Sequence, residues 1–143
     1  MREELRAEIA LGEVELLLSG IDDGGQRLRA AYRRVTIDNE DEALSARAAL
    51  GLAHAMVARR LWADVFRYAE RARATSRASA LVARSWLAEA DAHTGQDQMR
   101  KARAALEHAL EHAKVASDGL LLEHVKQRLT AVDPVASVGE SAA

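Results

Sequence analysis

Apolar positions return along this chain at helical spacing almost from its first residue. Leu5, Ile9, Gly12 and Leu16 share one face of a first helix, with Glu4, Glu8 and Glu15 largely elsewhere. The stretch "SGIDDGG" (19–25) breaks that helix with three glycines and two aspartates. A second helix turns Leu28, Ala31, Tyr32 and Val35 inward. "IDNEDE" (37–42) restarts the chain, with Asp38 or Asn39 as cap and acids in the first turn, where they suit the helix dipole. A third helix carries Leu44, Ala48, Leu50, Gly51 and Ala55, and a fourth Trp62, Phe66 and Ala69, closed by "ATSRAS" with Ser76 as cap. The fifth runs through Leu81, Trp86, Leu87 and Ala90 to Gly95, a natural left-handed terminator. The sixth contains "AALEHALEHAK" (104–114). The seventh begins near Asp118–Gly119, buries Leu121, Leu122, Val125 and Leu129, and ends at Pro134. The pattern predicts one domain over residues 1–132 and a disordered tail over 133–143.

Composition agrees with an all-α reading. Of 143 residues, 49% are hydrophobic but only 3% aromatic, and there is one proline. Ala, Leu, Arg and Glu dominate, and these favour helices over strands. Net charge is −2, which argues against a nucleic-acid or anionic-membrane binder. The absence of cysteine excludes disulfides, thiol catalysis and thiolate metal sites. No apolar run approaches the roughly 20 residues of a membrane span, and "MREELRAEIA" lacks the apolar core of a signal peptide. A cytoplasmic protein is the expectation, and the Ala/Arg-rich usage suits a high-GC bacterium.

Two signals repeat in step. Small residues follow Leu at Leu11–Gly12, Leu50–Gly51 and Leu87–Ala88, each in the first helix of a pair, where a small residue lets helix backbones approach. The second helices carry Leu28/Tyr32/Val35, Trp62/Phe66/Ala69 and Ala102/Leu106/Ala109 at i, i+4, i+7. Over about residues 5–116 the chain thereby resembles the tetratricopeptide family, whose units carry Leu–Gly/Ala in the first helix and Ala–x3–Phe–x2–Ala in the second. The phrases "ARAALGLAHAM" and "ALVARSWLAEADAHTG" look more like the degenerate repeats of large bacterial transcription activators of the maltose-regulon type. The units here are a few residues longer than the family's, and no proline closes them. The resemblance implies a right-handed α-solenoid of about three antiparallel helix pairs, with residues 119–132 as cap helix, acting as a protein-interaction scaffold or regulatory domain. It also implies a concave groove lined by the first helices: Ile9, Glu13, Leu16 and Leu17, then Ser45, Ala48, Leu52, Ala55 and Met56, then Val82, Ser85, Glu89 and His93. The Lys/Asn clamp of chaperone-binding members is absent. The expected occupant is an apolar or amphipathic helix of a protein partner, or a second copy of the chain.

Catalytic readings are weaker. His108, Glu111 and His112 spell H-x-x-E-H, an inverted zinc-protease motif. Zinc also needs a third ligand and a cleft, and only Glu123 and Glu140 follow among the glutamates. The motif flanks the apolar stripe of Ala105, Leu106, Ala109 and Leu110, so a solvated helix face is expected. A metal protein or hydrolase using His93, His108, His112 and His124 is the competing enzyme reading, and a self-associating structural protein is a third. His54, beside Gly51, is expected to be a satisfied inter-helix histidine. No cofactor, metal or catalytic residue is assigned.

Charge is unevenly placed. From Arg59 to Arg84 there are seven arginines and two acids, so this segment is +5 and the rest of the chain −7. Arg60, Arg67 and Arg71 are expected on one side of the fourth helix, as a solvated face or as a docking face for an acidic partner. Nucleic acid is disfavoured, because few aromatics interleave the arginines.

Overall fold

A computed structural model describes residues 2–18, 26–31, 33 and 42–132, without the side chains of residues 2, 5 and 14–18. All regular structure among them is helical: α1 (Arg2–Leu18), α2 (described over 26–31 and at 33), α3 (Glu42–Ala58), α4 (Trp62–Thr75), α5 (Ser79–Gly95), α6 (Met99–Ala116) and α7 (Gly119–Val132). None of the described helices is long and apolar enough to cross a membrane. From α3 onward each helix packs on the next, and α3 also meets α1 and α5. The expected contributions of Tyr32 and Val35, the caps Asp38 and Asn39, and the tail 133–143 lie outside the described residues.

The core is built from small residues at recurring positions. In α3 and α5, Ala46/Ala83, Leu50/Leu87, Gly51/Ala88, Ala53/Ala90 and Ala55/Ala92 are all buried, each pair 37 residues apart. Helices α4 and α6 keep the same interval: Val65/Ala102, Ala69/Leu106 and Ala72/Ala109 are fully buried. Helix α1 departs from it. Leu11 is half exposed, so the Leu–small signal there does not mark a core leucine. Gly51 also serves a different purpose from the expected backbone approach. A Cβ on it would lie 2.9 Å from Leu28 Cδ1, so the missing side chain leaves room for leucine branches.

The turns repeat as well. At the end of α3, Leu61 N–H donates to Met56 O and Arg60 N–H to Val57 O; at the end of α5, Gln98 N–H donates to His93 O and Asp97 N–H to Thr94 O. Each is the paired 6→1 and 5→2 closure of a helix, with a left-handed residue between. That residue is Arg60 in the first and Asp97 in the second, both at φ 60°. The expected left-handed Gly95 instead ends α5 in ordinary helix, and a Cβ there would collide with the Trp62 ring. Glycine is needed at 95 for space, while the strained conformation falls two residues later. Asp97→Gly should therefore stabilise the protein by about 0.5–1 kcal/mol, because the left-handed region penalises a side chain. Urea denaturation checks this, and a loss of stability would show that the Asp97 side chain makes a compensating bond.

Ser76 closes α4 as expected, and its Oγ accepts the Ala78 N–H at 3.2 Å. Asp118 Oδ1 accepts the Leu121 N–H at 3.1 Å, which caps α7.

Candidate interaction face

The residues expected to line a groove are mostly core. Ile9, Ala48, Leu52, Ala55 and Ser85 are fully buried, Met56 is 1% exposed, and Val82 and Glu89 are under one-tenth exposed. Ser45, Glu13 and His93 are partly exposed, and the side chains of Leu16 and Leu17 lie outside the description. The physical reason is crowding. Helix α3 touches α1, α4 and α5, and ten of its 17 residues are buried, so it has no single inward stripe to set against an outward one. Alanines close most of the gaps, and large side chains at Leu52 and Met56 fill interfaces instead of facing solvent.

The open face of these helices is polar. Arg47 on α3 holds Glu13 on α1 through two contacts, Nη2 to Oε1 at 2.6 Å and Nε to Oε2 at 3.3 Å. Arg128 on α7 pairs with Asp91 on α5, and Arg84 on α5 stands 4.0 Å from Asp118. His54 lies between these pairs, exposed, within electrostatic reach of Asp91, Arg84 and Glu13. Desolvation lowers its pKa, with Asp91 and Glu13 acting the other way, and the exposure of the side chain keeps the effect on stability small. His54 is thus a face residue and not the inter-helix histidine expected. Arg47 and His54 are seven residues apart, as are Arg84 and Asp91, and 37 residues separate the two sets. That coincidence of spacing was the one sequence signal for this face.

A second polar group is buried among α4, α5 and α6. Arg73 forms an ion pair with Glu89 Oε2, though that oxygen receives no well-angled hydrogen bond. Arg73 Nη1 donates to Ser85 Oγ at 3.2 Å, and Ser85 Oγ donates to Val82 O at 2.7 Å. The Arg73 guanidinium also lies 3.8 Å from the Trp86 ring centroid, and Trp86 stacks on His108 at 4.5 Å. These contacts tie α4, α5 and α6 together.

Burial raises the Glu89 pKa, and the Arg73 charge only partly offsets it. The folded protein therefore keeps the Glu89 proton to higher pH than the unfolded chain does. The Glu89 contribution to stability should fall as pH rises from the ordinary carboxylate value through the raised folded value, and be level outside that window. Urea midpoints followed by tryptophan fluorescence across pH 4–8 should show this slope, and Glu89→Gln should flatten it. An unchanged slope in the variant would assign it to another group.

Of the inverted zinc motif, His108 stacks on Trp86 and Glu111 is exposed; among the described residues no group of three or more metal-ligating side chains lies together. His93 Nδ1 sits 3.0 Å from Gln98 Oε1 and its ring 4.8 Å from Phe66. Of the arginines, Arg67 and Arg71 share a surface on α4, whereas Arg60 sits in the preceding turn over Trp62, 5.6 Å from the ring centroid. Compared with protein-family models, curated proteins and solved structures, the chain finds no match.

Proposed function

We propose that this chain is a protein-interaction module of tetratricopeptide-like helix pairs, a right-handed solenoid capped by α7, in which α1, α3, α5 and α7 form the binding surface. The observation that supports it is the shared 37-residue interval, kept by buried positions in both helices of a pair and by two turns with the same hydrogen bonds. Repeats of one supersecondary unit stack to bury a continuous core and leave an extended face for a partner. Because the apolar candidates are core, the partner is a polar or charged segment. Glu13, Arg47, His54, Arg84, Asp91 and Arg128 are the groups that meet it. Their partly exposed ion pairs contribute at most about 1 kcal/mol each to folding, so they are free to exchange partners on binding.

The test is affinity capture with Arg47→Glu/Arg84→Glu beside Arg100→Glu, an exposed arginine of α6 off this face. Helical signal and thermal midpoint should match the parent in both variants. Associated proteins should be lost only with the double variant. An unchanged set of captured proteins would move the binding surface elsewhere.

A further inference from the structure

An open cleft of about 490 Å³ runs along α4, lined among the described residues by Arg67, Tyr68, Glu70, Arg71 and Ala74. Its size falls within the roughly 300–1,000 Å³ of ligand pockets. It lies on a different helix from the face proposed above and does not depend on it. Val65, Ala69 and Ala72 turn the opposite stripe of α4 into the core, which fixes the orientation of the cleft residues.

Two arginines dominate this surface, and they are not alike. Arg67 is held in place: its Nη2 is 3.1 Å from Asp64 Oδ1, donates to Tyr68 Oη at 3.3 Å, and its guanidinium lies 4.9 Å from the Tyr68 ring centroid. Arg71 is exposed, and its side chain has no ion pair, hydrogen bond or ring contact among the described residues. An oriented guanidinium beside an exposed one four residues on is complementary to a pair of carboxylates.

The chemistry of the lining favours carboxylates over a nucleic acid. Arg67 lies over one face of the Tyr68 ring, the one aromatic group lining the cleft among the described residues, and the same side chain packs on the core, which makes it a poor platform for a base. Glu70 adds a negative charge beside the arginines, which disfavours dense polyphosphate. Spacing narrows the choice further. Four residues of helix advance about 6 Å, and alternate side chains of an extended strand are about 6.6–6.8 Å apart. We propose that the cleft takes an extended acidic segment of a protein partner, with two carboxylates two residues apart, one on Arg67 and one on Arg71. The chain's own run at residues 38–42 has acids at that spacing. Seating it in a second copy would join two different surfaces, a contact that propagates into open assemblies unless a ring closes. A separate partner has no such consequence.

The test is a nuclear magnetic resonance titration of the labelled full chain at about 0.15 M salt, where long-range charge effects are screened. One short Gly/Ser peptide carries two Glu at i, i+2, and a second carries them at i, i+1. The first should shift the Arg67 and Arg71 Nε signals and bind at least about fivefold more tightly than the second. Arg71→Glu should weaken it about tenfold or more, Arg71→Lys severalfold because an ammonium lacks the planar fork, and Arg100→Glu not at all. Equal binding of both peptides, or no binding, overturns the proposal. So does a thymidine oligonucleotide that binds more tightly in the same Arg71-dependent way. Concentration-dependent self-association by light scattering, abolished by Arg71→Glu, would overturn the separate partner in favour of a second copy.

Discussion

Met56→Glu is expected to unfold the protein, not to weaken a docking surface. Met56 is 1% exposed and packs with Ala53, Ala55, Val65, Ala69, Ala88 and Ala92, beside the rims of Trp62 and Phe66. Among these neighbours no cation stands ready to pair with a carboxylate. Its charge would have to be protonated or the interface opened, at a cost of about 4 kcal/mol or more, which is a large part of the 5–15 kcal/mol typical of a domain. Helical circular dichroism at 25 °C should collapse, or its urea midpoint should fall steeply. Met56→Leu conserves volume and should cost less than about 1.5 kcal/mol. A Met56→Glu protein that keeps its thermal midpoint within a few degrees would show that α3 presents this side chain to solvent.

Leu106→Ala should cost about 2–5 kcal/mol, toward the upper end of that range. Leu106 is fully buried among Ala83, Leu87, Ala90, Ala105, Ala109, Ala113, Leu121 and Val125. Five of these eight neighbours are alanines, which have no rotamers with which to fill a void, so the cavity should persist. Phe66, half-buried against His93, should lose less when truncated to alanine. Equilibrium denaturation of the two variants decides the ranking. A Phe66→Ala loss larger than that of Leu106→Ala would mean that the α4 contacts, and not those of α5, α6 and α7, dominate stability.

The all-α class and α3 to α7 were legible because helix formers and short connections agree there, with Asp118 capping the last helix. The step of 37 residues was visible in Leu50–Gly51 and Leu87–Ala88, and the structure carries it into the turns. Which face of α3 looks outward was not legible. Alanine is small enough to pack on any side of a helix, so "ARAALGLAHAM" offers no contrast between inward and outward. Arg73 misled in another way. It belongs to the positively charged segment by sequence, yet its charge is spent inside the fold on Glu89 and Trp86. The position of Gly95 signalled a turn correctly, but the need it meets is the bulk of Trp62.

The two matching turns bear on how this chain can change length. A block from Leu61 to Asp97 starts and stops at the same point of the turn, so a tandem copy of it would enter and leave in register. Its new helices would meet neighbours with the same small residues in the same places. Shorter insertions would rotate every following helix by a fraction of a turn and point alanines at solvent. Growth by whole blocks is therefore the path of least disruption, and each block would lengthen the row of charged side chains that contains Arg84 and Asp91.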